Sequence, residues 1–149
     1  MWHGHQRNHD GPSRLECGGV DLSSIAIRRA RRKALSAGVN IVFHQGDVIK
    51  LGGIAGPFDL ILDIGCFHGL SFDSRKVYEI NLRRLLRPGG AFLLYTWLKG
   101  DEAEPSWSPT EGEIRNLFDP SLDITHMEYS VDRVGECPSA WFTLQKRSP

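Results

Sequence analysis

The stretch that decides the fold runs from Phe58 to Trp97 and reads FDLILDIGCFHGLSFDSRKVYEINLRRLLRPGGAFLLYTW. It opens on a nearly unbroken apolar run, which is typical of a strand covered on both faces in a parallel sheet. Apolar side chains then recur at helical spacing after Ser71, until Pro88 and the two glycines that follow it end the helix. A second apolar run starts at Ala91. Strand, helix and strand in this order predict a right-handed βαβ unit.

Length, charge and cysteine content bound the class of protein. The 149 residues suffice for one domain with a real core, and the 18 basic side chains balance the 18 acidic ones. No apolar run approaches the ~20 residues of a membrane span, and no signal peptide is visible. Three separated cysteines without a CxxC pair indicate neither a disulfide framework nor a structural zinc. We therefore expect a reduced, cytoplasmic protein with no metal and with neither nucleic acid nor membrane as partner.

Residues 1–18 carry no periodic pattern, and they predict an irregular N-terminal segment ahead of a domain that spans residues 19–149. Three histidines of this segment, His3, His5 and His9, could be grouped as a metal cluster. We favour the irregular segment, because no regular element fixes the spacing of these side chains.

The segment 19–38 predicts a short strand followed by a helix. The strand ends at Val20, Ser23 or Ser24 can cap the helix, and a glycine is the expected stop. Five basic side chains between residues 28 and 33 look like a nucleic-acid patch. Because the helix needs an outward side and the whole chain is neutral, we interpret them as a solvated helix face.

Beyond the second apolar run, residues 98–107 are polar and acidic and predict a surface loop. Trp107 at the end of this loop can cover a bound molecule, or it can plug the loop onto the core. Ser108, Pro109 and Glu111 then predict the start of a helix. In this interpretation the serine is the cap, the proline takes the first position and the glutamate reaches back.

Two sequence motifs carry a resemblance to a known family. The run Phe58–Asp63, followed by the turn Leu86–Gly90 (LRPGG) and an apolar strand, resembles the fourth and fifth strands of class I S-adenosylmethionine (SAM)-dependent methyltransferases. The resemblance covers the chain from about Gly19 to its C-terminus. It implies an α/β, Rossmann-like fold with a mostly parallel sheet. Two predicted strands, residues 122–131 and 139–146, match the family's closing antiparallel hairpin.

The resemblance implies SAM as the cofactor and places its binding residues at the ends of predicted strands. Asp21 matches the family's ribose-binding carboxylate, which accepts hydrogen bonds from both hydroxyl groups. Asp47 matches the residue that accepts from the adenine amino group. Each has a plainer alternative, because Asp21 can simply cap the following helix and Asp47 can belong to an ordinary turn. The remaining cofactor-binding residues that the resemblance implies are Leu22, Gly46, Val48, Ile64 and Cys66.

The loop Cys66–Gly69 (CFHG) resembles small-molecule members of the family, of the thiopurine and tellurite-resistance type. The resemblance implies a small-molecule acceptor, with His68 as a catalytic base or a substrate-positioning residue. Phe67 and Trp107 are the further substrate-binding residues. A turn residue with a satisfied hydrogen bond is an equal alternative for the histidine. The run Leu62–Cys66 (LDIGC) also resembles the family's glycine-rich first motif, but Gly65 and Gly69 stand four apart and both acidic candidates precede this run.

The opening unit of the family is missing from the sequence pattern. A class I domain begins with a strand, a glycine-rich loop and a helix, which need roughly 30 residues, whereas 19 precede Val20. We therefore expect an N-terminally truncated sheet with open strand edges, through which a homodimer can form. Three explanations fit the missing opening unit. The first 18 residues are not the original start of the domain, the chain is a degenerate paralogue, or a partner supplies the missing strand. We favour the first.

Three functions stay open on the sequence alone. The resemblance implies SAM-dependent methyl transfer to a small molecule, with the activity of the truncated chain in question. A non-catalytic methyltransferase-like module, which binds or dimerises through its sheet edge, is the first alternative. A nicotinamide-dependent oxidoreductase is the second, and both the missing G-x-G-x-x-G pattern and the LRPGG turn argue against it.

Overall fold

The computed structural model describes residues 1–6, 15–99, 107–132 and 137–148. These residues form one mixed sheet with three α-helices and a short 3-10 helix at Phe67–Gly69. The strands are β1 (Trp2–Gln6), β2 (Leu15–Asp21), β3 (Ile41–Gln45), β4 (Phe58–Ile64), β5 (Leu86–Trp97), β6 (Leu122–Asp132) and β7 (Cys137–Lys146). The helices are α1 (Ser24–Ser36), α2 (Phe72–Leu85) and α3 (Glu111–Phe118).

The sheet has the strand order β3-β2-β1-β4-β5-β7-β6. β2 pairs with β3 and β4 pairs with β5 in parallel, and helices α1 and α2 make the two crossovers. β7 runs antiparallel to both β5 and β6. The α/β, Rossmann-like sheet with a C-terminal antiparallel hairpin is therefore confirmed.

The N-terminal segment differs from the sequence-based prediction. Trp2–Gln6 forms a strand that lies between β2 and β4 and runs antiparallel to both of them. Residues 15–18 are the first part of β2. The irregular structure predicted for these residues is therefore wrong. Residues 7–14, which include His9 of the imagined metal cluster, lie outside the described part of the chain.

Main-chain pairing on both sides accounts for β1. Gly4 is aligned with Cys17 on β2 and with Leu60 on β4. Because the partners are backbone groups, a strand in this position needs no alternating pattern of side chains that a sequence would reveal. The edges of β2 and β4 that the prediction leaves open are paired with β1. Because these two edges pair with β1, they do not offer the surface through which a homodimer was expected to form.

The direction and register of β1 can be tested with a native cysteine. Gly4 is the direct neighbour of Cys17, and a Cβ at Gly4 would meet nothing closer than the Glu16 carbonyl oxygen at 3.9 Å. We expect Gly4→Cys to form an intramolecular disulfide with Cys17 on mild oxidation, detected by mass spectrometry of a non-reduced digest. The control Trp2→Cys, which is aligned with Gly19, should not form this link. A Gly4→Cys variant that stays reduced would contradict the antiparallel register.

Helices α2 and α3 enclose the main core. Ile61 of β4 and Phe92 of β5 are fully buried there together with Tyr78 of α2 and Phe118 of α3. α1 packs in a smaller separate cluster against β3. Fully burying each large apolar side chain contributes about 1.5–3 kcal/mol, so the main core dominates the stability of the sheet. None of the helices in the described parts of the chain is long and apolar enough to cross a membrane.

The LRPGG turn has a different role from the predicted one. α2 ends at Leu85 and β5 already begins at Leu86, so the turn is the first part of the strand and not the stop of the helix. A Cβ at Gly90 would come within 3.1 Å of the Phe58 carbonyl oxygen. Only glycine permits this close approach of the β5 backbone to β4, which explains the residue type at this position.

Candidate functional site

Two carboxylates lie side by side at the carboxyl ends of neighbouring parallel strands. Asp21 is the last residue of β2, and Asp47 follows β3 by two positions. The amide of Gly46 donates to the Asp21 carbonyl oxygen at 3.0 Å, which ties the two strand ends together. Ligands of open α/β sheets bind at this edge, so the structure brings both predicted acidic residues to one place.

Each of the two carboxylates is engaged locally through one oxygen. The Ser23 amide donates to Oδ1 of Asp21 at 2.7 Å, and the Ile49 amide donates to Oδ1 of Asp47 at 3.1 Å. Ser23 itself caps α1 with its hydroxyl group, so Asp21 is not the capping residue. Within the described residues, neither Oδ2 has a hydrogen-bond partner, which leaves one acceptor oxygen on each side chain.

Three apolar residues were predicted to bind the cofactor together with these carboxylates. Leu22 is 72% exposed and Ile64 is 56% exposed, so both present apolar surface at the carboxyl ends of β2 and β4. The side chain of Val48 is buried in the main core instead. Only the backbone of Val48 is therefore available to a ligand, in contrast to the two exposed side chains.

A buried carboxylate that sequence reasoning missed fixes the loop after β4. Asp63 is fully buried, and its Oδ1 accepts from the Cys66 amide at 2.8 Å. Its Oδ2 accepts from the Tyr78 hydroxyl group at 2.5 Å. Burial, followed by the charge of Asp63, raises the pKa of Tyr78 well above its ordinary value. An alternating strand pattern does not reveal such a residue, because its partners come from the loop and from α2.

Cys66 lies half-buried beside the start of β1. The amino group of Met1 donates to the Val20 carbonyl oxygen at 3.0 Å and approaches Sγ of Cys66 at 3.8 Å. Burial, with a smaller contribution from Asp63, raises the pKa of the Cys66 thiol from 9.0 to about 11. The thiol is therefore protonated at neutral pH and offers a weakly polar wall, not a nucleophile.

The raised pKa of Cys66 predicts a pH dependence of alkylation. The thiolate is the reactive form, and its fraction increases tenfold per pH unit below the pKa. In the folded chain, the rate of Cys66 modification by iodoacetamide should keep rising up to about pH 11. In the urea-unfolded chain it should level off near pH 9. Site-resolved mass spectrometry measures both profiles, and coinciding profiles would contradict the protonated, buried thiol.

An aromatic cluster of His68, Trp97 and Trp107 stands at the carboxyl ends of β4 and β5. The His68 ring stacks on Trp97 with a centroid distance of 4.6 Å and an angle of 2°. Trp107 lies 5.8 Å from His68 and 5.9 Å from Trp97, and half of its surface is exposed. The structure therefore brings two predicted substrate-binding residues together and adds Trp97, which the sequence shows only as the end of a strand.

The hydrogen bonding of His68 sets its protonation. Nδ1 accepts from the Trp97 amide at 3.3 Å, so the neutral ring carries its proton on Nε2. Burial lowers the pKa of His68 from 6.5 and outweighs the attraction of Asp63. The imidazole is therefore neutral at neutral pH and presents an N–H donor. The predicted hydrogen-bonded turn residue and a positioning role are both compatible with this geometry.

Phe67, predicted as a substrate-binding residue, belongs to the core. It is fully buried, and its ring lies 5.7 Å from Tyr78 and 5.6 Å from Phe118. The first turn of the 3-10 helix points this side chain inward while the next residue, His68, points to the aromatic cluster. The opposite directions of these two neighbouring side chains are set by tertiary packing, which the sequence pattern does not show.

Arg75 is a buried charged residue on the same face of α2 as Tyr78 and Leu82. It is only 6% exposed, and its guanidinium lies 5.4 Å from the centre of the Phe67 ring. One terminal nitrogen donates to the His68 carbonyl oxygen at 3.2 Å and to the Trp107 carbonyl oxygen at 2.5 Å. Arg75 therefore fixes both ends of the aromatic cluster to α2.

Strand order, helical crossovers and the clustered strand ends define a Rossmann-like α/β domain of the methyltransferase type. The methyltransferase domain family matches residues 7–90, which is more than half of the chain. The chain belongs to this family, and the resemblance to class I SAM-dependent methyltransferases is confirmed.

Several known proteins are similar to this chain. Two uncharacterized methyltransferases of Schizosaccharomyces pombe are each 33% identical over 76 residues, which are 51% of this chain and 52% of each relative. The chain thus spans about half the length of the curated relatives it matches. Among solved structures, the N-methyltransferase NodS of Bradyrhizobium japonicum, in complex with S-adenosylhomocysteine, is 17% identical, with a TM-score of 0.75. The match covers 88% of this chain and 66% of NodS.

A second solved structure is the 1,6-didemethyltoxoflavin-N1-methyltransferase of Burkholderia thailandensis with bound 1,6-didemethyltoxoflavin and S-adenosylhomocysteine. It is 21% identical with a TM-score of 0.72, and the match covers 88% of this chain and 61% of that one. At these identities both structures show the shared fold and nothing further.

Proposed function

We propose that this chain binds SAM and transfers its methyl group to a small-molecule acceptor. Membership of the methyltransferase domain family supports this proposal. The observation that carries it is the Gly46–Asp21 hydrogen bond, because it holds together two strand ends that each carry a carboxylate. Among the described residues, one oxygen of each carboxylate has no hydrogen-bond partner. The small-molecule acceptor is supported by the aromatic cluster, which offers a half-exposed ring.

The described residues fit the adenosine part of SAM. Oδ2 of Asp21 is available to the ribose hydroxyl groups and Oδ2 of Asp47 to the adenine amino group. Leu22 and Ile64 supply exposed apolar surface at the ends of β2 and β4. When bound, SAM supplies an electrophilic methyl group on a sulfonium, and the protein holds the acceptor in line with it. Cys66 would present a neutral thiol beside the bound cofactor, because burial raises its pKa to about 11.

His68 acts in this proposal as a positioning residue. Because its Nδ1 is engaged by the Trp97 amide, its Nε2–H is a donor that orients the acceptor and not a base that removes a proton. His68→Gln should therefore lower kcat about tenfold without changing the shape of the pH profile. The loss of an acidic limb in the pH profile of this variant would show that His68 is a base after all.

Titration calorimetry with SAM and S-adenosylhomocysteine tests the proposed function. We expect one site with micromolar affinity for both compounds. The absence of heat from a folded sample would overturn the proposal.

One observation favours the alternative of a non-catalytic module. In the family, the carboxyl edge between the strands equivalent to β2 and β4 carries a glycine-rich loop. Here the start of β1 lies at this edge, and the side chain of Met1 is buried against the core. If SAM does not bind, this arrangement indicates a methyltransferase-like scaffold that recognises a partner instead.

A further inference from the structure

A cleft next to the aromatic cluster carries the features of an anion site. It has a volume of about 470 Å³ and lies between the start of α2, the start of α3 and Trp107. This volume suits a small organic molecule. Building on the proposed function, we propose that this cleft binds the anionic group of an aromatic acceptor, through Arg75, Ser108 and Lys99.

Two buried donors of the cleft lack a partner. Nε of Arg75 and Oγ of Ser108 have no hydrogen bond within the described parts of the chain. The two residues are 6% and 3% exposed, and both line the cleft. A buried polar group without a partner is destabilising, so two such groups at one cleft favour a bound ligand that would satisfy them. Oxygens of a carboxylate or a phosphate would accept from both.

The unpartnered hydroxyl of Ser108 follows from the way α3 begins. The sequence predicts Ser108 as the helix cap, but Thr110 takes this position. The Thr110 side chain accepts from the Glu113 amide at 3.1 Å, and the Glu113 carboxylate accepts from the Thr110 amide at 2.8 Å. This capping box leaves Ser108 buried at the wall of the cleft with no role in the helix.

The charges around the cleft favour an anion. Arg75 and Lys99 contribute two positive charges, whereas Glu113 contributes one negative charge. α2 begins at the same wall, with Ser71 as its cap, and the start of a helix adds positive potential. Among the described residues that line the cleft, positive charge therefore exceeds negative charge, although the whole chain is neutral.

Trp107 connects the cleft to the aromatic cluster. It lines the cleft and at the same time contacts the rings of His68 and Trp97. A planar ligand stacked on its half-exposed ring would reach the buried donors with its anionic end. Its other end would point toward His68. This arrangement favours an aromatic ring that carries a carboxylate or a phosphate over a neutral or cationic acceptor.

Three probes of similar shape test the inference on the full chain. Tryptophan fluorescence is titrated with benzoate, phenyl phosphate and the neutral benzamide, without any cofactor. We expect at least one of the two anions to bind tenfold more tightly than benzamide, and the better of the two identifies the oxyacid. Equal affinity for all three probes, or no binding of any, would overturn the inference.

A pair of variants of opposite charge sharpens the test. Lys99 is exposed, and a glutamine at position 113 can keep the capping-box hydrogen bond from the Thr110 amide, so neither substitution should disturb the fold. We expect Lys99→Gln to weaken binding of the preferred anion about fivefold and Glu113→Gln to strengthen it by a similar factor. Ser108→Ala should weaken binding without a change in charge. Changes of the same sign for the Lys99 and Glu113 variants would contradict an electrostatic anion site.

Titration of the same samples with S-adenosylhomocysteine separates this inference from the proposed function. Selective anion binding without S-adenosylhomocysteine binding supports the cleft and overturns methyl transfer. Binding of S-adenosylhomocysteine without a preference for the anions overturns the cleft and leaves methyl transfer in place.

Discussion

Asp63→Ala should lower the free energy of unfolding by about 3 kcal/mol. Asp63 is fully buried and accepts hydrogen bonds from the Cys66 amide and the Tyr78 hydroxyl group. Its removal leaves the buried Tyr78 hydroxyl group and the half-buried Cys66 amide without this partner, at about 1–3 kcal/mol each, and opens a small cavity. The variant no longer has to bury a carboxylate, and the desolvation cost that it avoids offsets part of this loss. Urea unfolding followed by circular dichroism measures the change.

Two matched variants identify the cause of this destabilisation. Tyr78→Phe removes one donor without a cavity, so it should cost about 1–2 kcal/mol. The double variant with Asp63→Ala should cost less than the sum of the two single variants, because each single variant already removes the Tyr78–Asp63 hydrogen bond. Substitutions at neutral surface positions change the free energy of unfolding by up to about 0.5 kcal/mol. If Asp63→Ala differs from wild type by no more than this, the buried network does not hold the loop.

The part of the fold that the sequence predicts is the part in which local pattern and tertiary structure agree. The apolar run at Phe58 becomes β4 with the predicted bounds, and Ser71 caps α2. The fold class, the crossovers and the C-terminal hairpin follow from the same agreement. Here each strand or helix buries its own apolar side chains, so the periodicity is visible along the chain.

The part that the sequence does not predict depends on contacts between distant segments. β1 is held by backbone pairing with strands on both sides, and its side chains carry no pattern. The hydrogen-bond partners of buried Arg75 are the carbonyl groups of His68 and Trp107, which lie in two other segments of the chain. For the same reason the sequence locates the two acidic strand ends but not the cleft. Its walls come from three separate elements.

Asp21→Ala should weaken the binding of S-adenosylhomocysteine about a hundredfold. In the proposed site the carboxylate accepts charge-assisted hydrogen bonds from the ribose hydroxyl groups, each worth about 1.5–3 kcal/mol. Each 1.4 kcal/mol changes the dissociation constant tenfold, so their net loss is readily measured. Titration calorimetry gives the dissociation constants of both proteins.

Asp21 also has a local structural role, which the choice of variants must separate from ligand binding. Its Oδ1 accepts from the Ser23 amide at 2.7 Å, and an asparagine can keep this bond. Asp21→Asn should therefore retain the stability of the wild type and still lose roughly tenfold in affinity, since the amide has one acceptor oxygen and no charge. Asp73→Ala, which removes an exposed carboxylate on α2, should change neither quantity. If Asp21→Asn binds as tightly as wild type while Asp21→Ala is merely less stable, the residue is a turn-forming aspartate and the ribose assignment is wrong.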